Sequence, residues 1–257
     1  MKYAIAMAGK GGTGKTTVCG LFIDTLVKAG KKPILAVDAD ANANLNEVLG
    51  VELPITLGDL REELTQADSV EKSPIPPGMS KQEYTHFRFA DALVETKDSD
   101  MLVMGRSQGK GCYCFINDIL REQLNKHFKS YDYLIVDNEA GLEHISRGIL
   151  PPVDLILLVS DCSRRGIQAA GRIAVMVTEL GLKVKQVGLI VNRAPGGELN
   201  SGIAEEVAAQ KLSLLGVLPQ DPLIYEYDAA GKPLVTLPDD APVRIGLASI
   251  IKKLELP

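Results

Sequence analysis

Eight consecutive residues, Gly9-Lys10-Gly11-Gly12-Thr13-Gly14-Lys15-Thr16, satisfy the spacing G-x-x-x-x-G-K-[ST] in full. Glycines let successive backbone N–H groups curl around phosphate oxygens, and a helix opening directly after them adds a favourable partial charge. Lys15 is suited to neutralise the β- and γ-phosphates of a nucleotide, and Thr16 to offer its hydroxyl to Mg²⁺. Gly11, Gly12, Thr13, Gly14, Lys15, Thr16 and Thr17 are therefore the expected phosphate contacts.

Carboxylates stand where such a site needs them. Val37-Asp38-Ala39-Asp40 closes one apolar run, and Leu134-Ile135-Val136-Asp137 closes another. At the carboxyl edge of a parallel sheet, Asp38, Asp40 and Asp137 would lie beside the phosphate loop, where Mg²⁺ and water must be held. An apolar strand ending in Asp is the Walker-B arrangement, and the following Ala140-Gly141 offers a hinge able to sense the γ-phosphate. Two later strand ends, Val191-Asn192-Arg193 and Leu218-Pro219-Gln220-Asp221, supply hydrogen-bonding groups for a purine. They fit adenine without distinguishing it from guanine.

Gly109-Lys110-Gly111-Cys112-Tyr113-Cys114 is the second chemical feature. Two thiols at this spacing share a side only if the backbone is extended or looped, because on a helix they diverge by about 200°. Lys110 and a helix starting near Phe115 would both favour thiolate. One chain then offers two soft ligands where a closed tetrahedral site wants four, and a twofold axis would supply the other pair from an identical subunit. Cys112 and Cys114 are thus expected to hold one soft divalent metal at a homodimer interface. Cys19 and Cys162 read as small buried hydrophobes. His144 reads as a helix-face residue, and His86 and His127 carry no signal.

Lys10, directly after the first glycine and followed by Gly11-Gly12, makes the loop resemble the deviant phosphate loop of the MinD/ParA/nitrogenase-iron-protein class of ATPases. By that resemblance Lys10 reaches the phosphates bound by the other subunit of a face-to-face dimer. Asp38 supports the Mg²⁺ shell, Asp137 joins it directly or through water, and Asp40 positions or activates the attacking water. Asn192 contacts adenine, and the loop with Pro219 and Asp221 closes over the ring. Lys10, Lys15 and Asp40 are then the catalytic set. Asn138-Glu139 departs from the class, which often has a second small or acidic residue there.

Taken together, the deviant loop, Asp-x-Asp, Cys-x-Cys about a hundred residues in, and Asp137 through His144 resemble the maturation ATPases of carbon monoxide dehydrogenase and acetyl-CoA synthase (CooC type). This resemblance spans nearly the whole chain. It implies an ATP- and Mg²⁺-dependent homodimer that binds Ni²⁺ or Zn²⁺ through Cys112 and Cys114 and delivers nickel to one of those enzymes as client. Nickel comes from the resemblance; the spacing indicates only a soft metal. Two other readings share the loop: an iron–sulfur carrier or reductase with a cluster on four thiolates, and a spatial-organising ATPase that binds DNA or lipid.

These side chains need elements to hold them. Apolar runs at Tyr3–Ala8, Ile34–Val37, Tyr133–Val136, Leu155–Val159, Val187–Val191 and Leu214–Leu218, with a weaker one at Met101–Met104, read as buried strands. Helical patterns such as Thr17–Ala29 and Ile167–Leu180 lie between them. The expected fold is α/β, a single-domain open and mostly parallel sheet with helices on both faces, as in P-loop NTPases. The whole chain, 1–257, is expected to form this domain. Residues 52–100 break the rhythm and read as a partly irregular insertion or lid, helical only around Leu57–Leu64. Arg244–Leu256 reads as a closing helix.

The chain has 257 residues with net charge −5, 46% hydrophobic and 24% charged residues, no Trp and four Cys. The acidic balance argues against nucleic acid as partner, the cysteines are too few for a disulfide framework, and no apolar run spans a membrane. The N-terminal run ends in Gly9-Lys10-Gly11-Gly12 without a cleavage-like spacer, so a cytoplasmic protein with neither membrane nor nucleic-acid partner is expected.

Overall fold

The computed structural model describes residues 3–40, 42–66, 73–106, 122, 124–139 and 151–257. Aliphatic runs form seven strands: β1 (Tyr3–Ala8), β2 (Ile34–Ala39), β3 (Ser99–Val103), β4 (Tyr133–Asn138), β5 (Leu155–Asp161), β6 (Gln186–Ala194) and β7 (Leu214–Pro219). All pair in parallel within one sheet of order β3-β2-β4-β1-β5-β6-β7. Every run expected as a strand is one, including the weak candidate at Met101, which forms the β3 edge.

Eight α-helices cover the sheet among the described residues: α1 (Lys15–Lys28), α2 (Leu45–Leu49), α3 (Leu57–Gln66), α4 (Lys81–Ala92), α5 (Arg164–Glu179), α6 (Ser201–Ala209), α7 (Pro222–Ala229) and α8 (Pro242–Leu254). The alternation of strand side chains separates two cores. Ala4, Ala6 and Ala8 of β1 face a cluster that includes Leu60 and Phe89 of α3 and α4 and Ile167 of α5. Ile5 and Met7 face the opposite cluster with Phe22 of α1 and Leu247 of α8. The sheet is thus apolar on both faces, as a parallel sheet under helices must be.

Within residues 52–100 the structure holds two helices where the hydrophobic pattern signals one. Helix α4 starts with a capping box: Glu83 N–H donates to the Ser80 hydroxyl, and Ser80 N–H donates to Glu83 Oε2 at 2.8 Å. Arg88 of α4 reaches back to α3 with Nη2 2.6 Å from Glu63 Oε1 and Nε 2.9 Å from Oε2. This pair holds the Glu63 carboxyl below its ordinary range, against a smaller rise from burial. Leu57, Leu60, Leu64 and Phe89 carry the hairpin into the shared core. Helix α8 is pinned from beneath: buried Arg244 pairs with Asp24 of α1 and donates to the Val235 carbonyl. Among the described residues no helix is long and apolar enough to cross a membrane.

Candidate nucleotide-binding site

Sheet order places β1 between β4 and β5, so the loop after β1 emerges where strand connections diverge to opposite sides, the usual ligand crevice of an open α/β sheet. The loop packs against its neighbours at two glycines. A Cβ on Gly9 would stand 2.2 Å from the Val159 carbonyl oxygen of β5, so only glycine lets the chain leave β1 this close. Gly14 caps α1 at φ 85°, and a Cβ there would meet Asn192 Nδ2 at 2.5 Å. Gly11, by contrast, faces open space.

Inside the loop, the Lys10 carbonyl accepts from the Thr13 hydroxyl at 2.9 Å and from Lys15 Nζ at 3.5 Å. Lys15 is buried while the Lys10 side chain is exposed at the sheet edge. Thr16 and Thr17 open α1, with a cleft of about 870 Å³ beside them. Asn46 and Glu47 of α2 and Asp228 and Lys232 near the end of α7 form part of its wall. These segments are far apart in the chain, and nothing in their local pattern announces a common cleft.

The three acids expected here arrive with different tasks. Asp38 and Asp137 are register neighbours on β2 and β4. Asp38 is fully buried, and its two oxygens accept from Asp40 N–H and Leu45 N–H, each at 2.9 Å. Its carboxylate therefore organises the turn into α2; burial raises its pKa, and these N–H donors oppose the rise. Asp40, half-buried on that turn, accepts from Asn42 N–H at 2.8 Å. Asp137 differs from both. Both its oxygens are buried without a hydrogen-bond partner, and its pKa is pushed up to about 7, chiefly by burial. The adjacent Thr16 hydroxyl falls short of a full hydrogen bond yet opposes the rise, as Lys15 does, while Asp38 adds to it. Next to Asp137, Asn138 ties β4 to β1 by donating to the Met7 carbonyl at 3.0 Å.

On the other side of the loop, Asn192 Nδ2 donates to the Thr13 carbonyl at 2.9 Å, and its Oδ1 is buried without a partner. Pro219 ends β7 opposite Ala194 of β6. The Asp221 carboxylate is used locally: Oδ1 accepts from Leu223 N–H at 3.1 Å and Oδ2 from Val243 N–H at 3.3 Å, joining the starts of α7 and α8. Arg193, which sequence reasoning passed over, donates from Nη1 to the Gly12 carbonyl at 3.1 Å.

Cys112, Cys114, Lys110, Ala140, Gly141 and His144 lie outside the described residues. Among the described residues no group of three or more His, Cys, Asp and Glu side chains is placed to hold a metal. Cys19 is buried as expected, its thiol pushed up by burial and the nearby acids, whereas Cys162 is only half-buried.

Residues 4–234 match the CobQ/CobB/MinD/ParA nucleotide-binding domain. The chain belongs to this family. An uncharacterised ATP-binding protein of Methanocaldococcus jannaschii is 42% identical to it over 97% of both chains. The carbon monoxide dehydrogenase accessory protein CooC of Rhodospirillum rubrum is 32% identical, covering 88% of this chain and 87% of CooC. In fold, it is similar to the septum site-determining protein MinD of Pyrococcus horikoshii complexed with Mg-ADP, at TM-score 0.69, 24% identity and coverage of 99% and 96%. In this chain the family's nucleotide-binding domain includes the glycine-rich loop between β1 and α1, beside which Asp38, Asp137 and Asn192 stand.

Proposed function

We propose that this protein is an ATP-hydrolysing metal chaperone that works as a homodimer and delivers nickel to carbon monoxide dehydrogenase or acetyl-CoA synthase. The nucleotide half of this reading rests on Asp137. A buried carboxylate without a hydrogen-bond donor beside the Thr16 hydroxyl is a hard-oxygen set suited to Mg²⁺, with Thr16 and Asp137 as its holders. When bound, Mg²⁺ would offset negative charge on the β- and γ-phosphate oxygens. Lys15 adds a second positive charge there. Asp38 supports this site through the backbone, by holding the turn from which Asp40 would orient the attacking water. Lys10, exposed at the edge, is free in direction to serve the phosphates of a second subunit.

The metal half rests on Cys112-Tyr113-Cys114 together with the 32% identity to the carbon monoxide dehydrogenase accessory protein. Four thiolates from two chains would complete a tetrahedral Ni²⁺ or Zn²⁺ site. Closure on ATP would bring the pairs together and hydrolysis would part them, so metal and nucleotide affinities must be linked in both directions.

Metal analysis of the anaerobically isolated dimer, with and without ATP, tests the assignment. One nickel or zinc per dimer in wild type, lost in the Cys112→Ala/Cys114→Ala variant, supports it. Equal metal content in both proteins removes the cysteines from the mechanism. A brown protein with a broad band near ~400 nm would favour an iron–sulfur carrier instead, and nucleotide-dependent pelleting with DNA or lipid vesicles would favour a spatial-organising ATPase.

A further inference from the structure

We propose that Arg193 is a positioning residue for the phosphate loop, acting with Asn192 as a two-pronged clamp on its outer carbonyls. This rests on the reading that the loop holds a nucleotide's phosphates. In a regular strand, neighbouring side chains point to opposite faces, so residues 192 and 193 could not both reach one loop. The structure breaks the alternation at this point. The β6–β7 ladder shifts register between Val191 and Ala194, and Arg193 adopts φ 56°, a left-handed conformation uncommon for any residue with a Cβ. Both side chains therefore turn toward the loop.

They grip consecutive carbonyls. Asn192 Nδ2 lies 2.9 Å from the Thr13 oxygen and Arg193 Nη1 3.1 Å from the Gly12 oxygen. The space for this grip comes from Gly14, where a Cβ would stand 2.5 Å from Asn192 Nδ2 and 3.5 Å from Arg193 Nη2. A trans peptide directs its C=O and N–H to opposite sides. Holding the Thr13 carbonyl toward β6 thus aims the Gly14 N–H away from β6. Holding the Gly12 carbonyl aims the Thr13 N–H toward Lys10, whose carbonyl it meets at 3.4 Å. The clamp fixes the peptide planes of the loop before any phosphate arrives, and a pre-set loop loses less freedom on binding. The guanidinium also adds a positive charge behind the loop.

Backbone strain and side-chain function can be separated because glycine takes φ 56° freely. The experiment measures Mg-ADP affinity by isothermal titration, and the thermal midpoint, for wild type, Arg193→Gly, Arg193→Ala and Arg193→Lys. A positioning role predicts that Arg193→Gly keeps or raises the midpoint yet binds Mg-ADP about tenfold more weakly, the effect of losing a charge-assisted hydrogen bond. Arg193→Lys should recover part of that loss. Wild-type affinity in Arg193→Gly overturns the inference. So does weakening that appears in the three variants only alongside a lowered midpoint. A wild-type protein that binds no nucleotide would overturn the nucleotide reading and this inference with it.

Discussion

In the proposed nucleotide site Asp137 stands out, because burial works against its charge and the nearby Thr16 hydroxyl and Lys15 offset that only in part. Replacing it with Asn removes the charge but keeps the shape. Asp137→Asn should leave the nucleotide-free protein as stable as wild type or more so in thermal unfolding, while Mg-nucleotide affinity falls by about tenfold or more in calorimetry. Unchanged affinity would take Asp137 out of the Mg²⁺ set. Gly14 presents the opposite case, a residue needed for what it lacks. Gly14→Ala forces a Cβ into φ 85° and against Asn192 Nδ2, and should cost about 1–2 kcal/mol in denaturant unfolding. Nucleotide affinity should fall as well, because the strain is relieved only by moving the loop or its clamp.

Among the elements, the α3–α4 hairpin shows how a polar contact fixes two helices on a common core. Glu63 receives Arg88 through two bonds and the Tyr84 hydroxyl through a third. Glu63→Gln should lower stability by about 1 kcal/mol at neutral pH, a modest value because the pair is partly solvated. The sign of its pH dependence follows from the lowered Glu63 pKa. A depressed carboxyl stabilises the fold fully above the ordinary glutamate range and loses that contribution as pH falls through its folded-state value. Urea unfolding at several pH values should therefore show the gap between wild type and Glu63→Gln open at pH 7 and closing below about pH 4. A gap that widens in acid would contradict the ion-pair account.

For the molecule as a whole, the proposed mechanism requires two copies to meet across the edge that carries the phosphate loop. Lys10 is exposed there, whereas Lys15 is buried in its own loop. Lys10→Ala should therefore preserve the fold and Mg-ADP binding but abolish ATP-dependent dimerisation in light scattering, and ATP turnover with it. A variant that still dimerises on ATP would place the second lysine outside the interface. The pairing of Arg244 with Asp24 ties α8 to α1 over one face of the sheet, away from the edge at which the proposed dimer would meet.

Strands, their parallel pairing and the phosphate loop were legible in the chain because each depends on a local signal. Aliphatic runs too long to be half-exposed require a sheet covered on both faces, and Gly9 through Thr16 prescribe one turn geometry. Helix α4 was missed: its hydrophobic pattern is weak, and the signal that could have found it is the Ser80–Glu83 capping-box spacing at its start. Other features depend on residues brought together from distant parts of the chain. Asp38 and Asp137 are both strand-end acids in the sequence, yet backbone donors satisfy one and bypass the other, because only one faces the turn into α2. Asp221 is drawn into joining two helix starts, and Arg193 reaches the phosphate loop through a left-handed residue and a slipped ladder. Local pattern carries backbone class and motif identity; which oxygen is left unpaired is set by packing between distant segments.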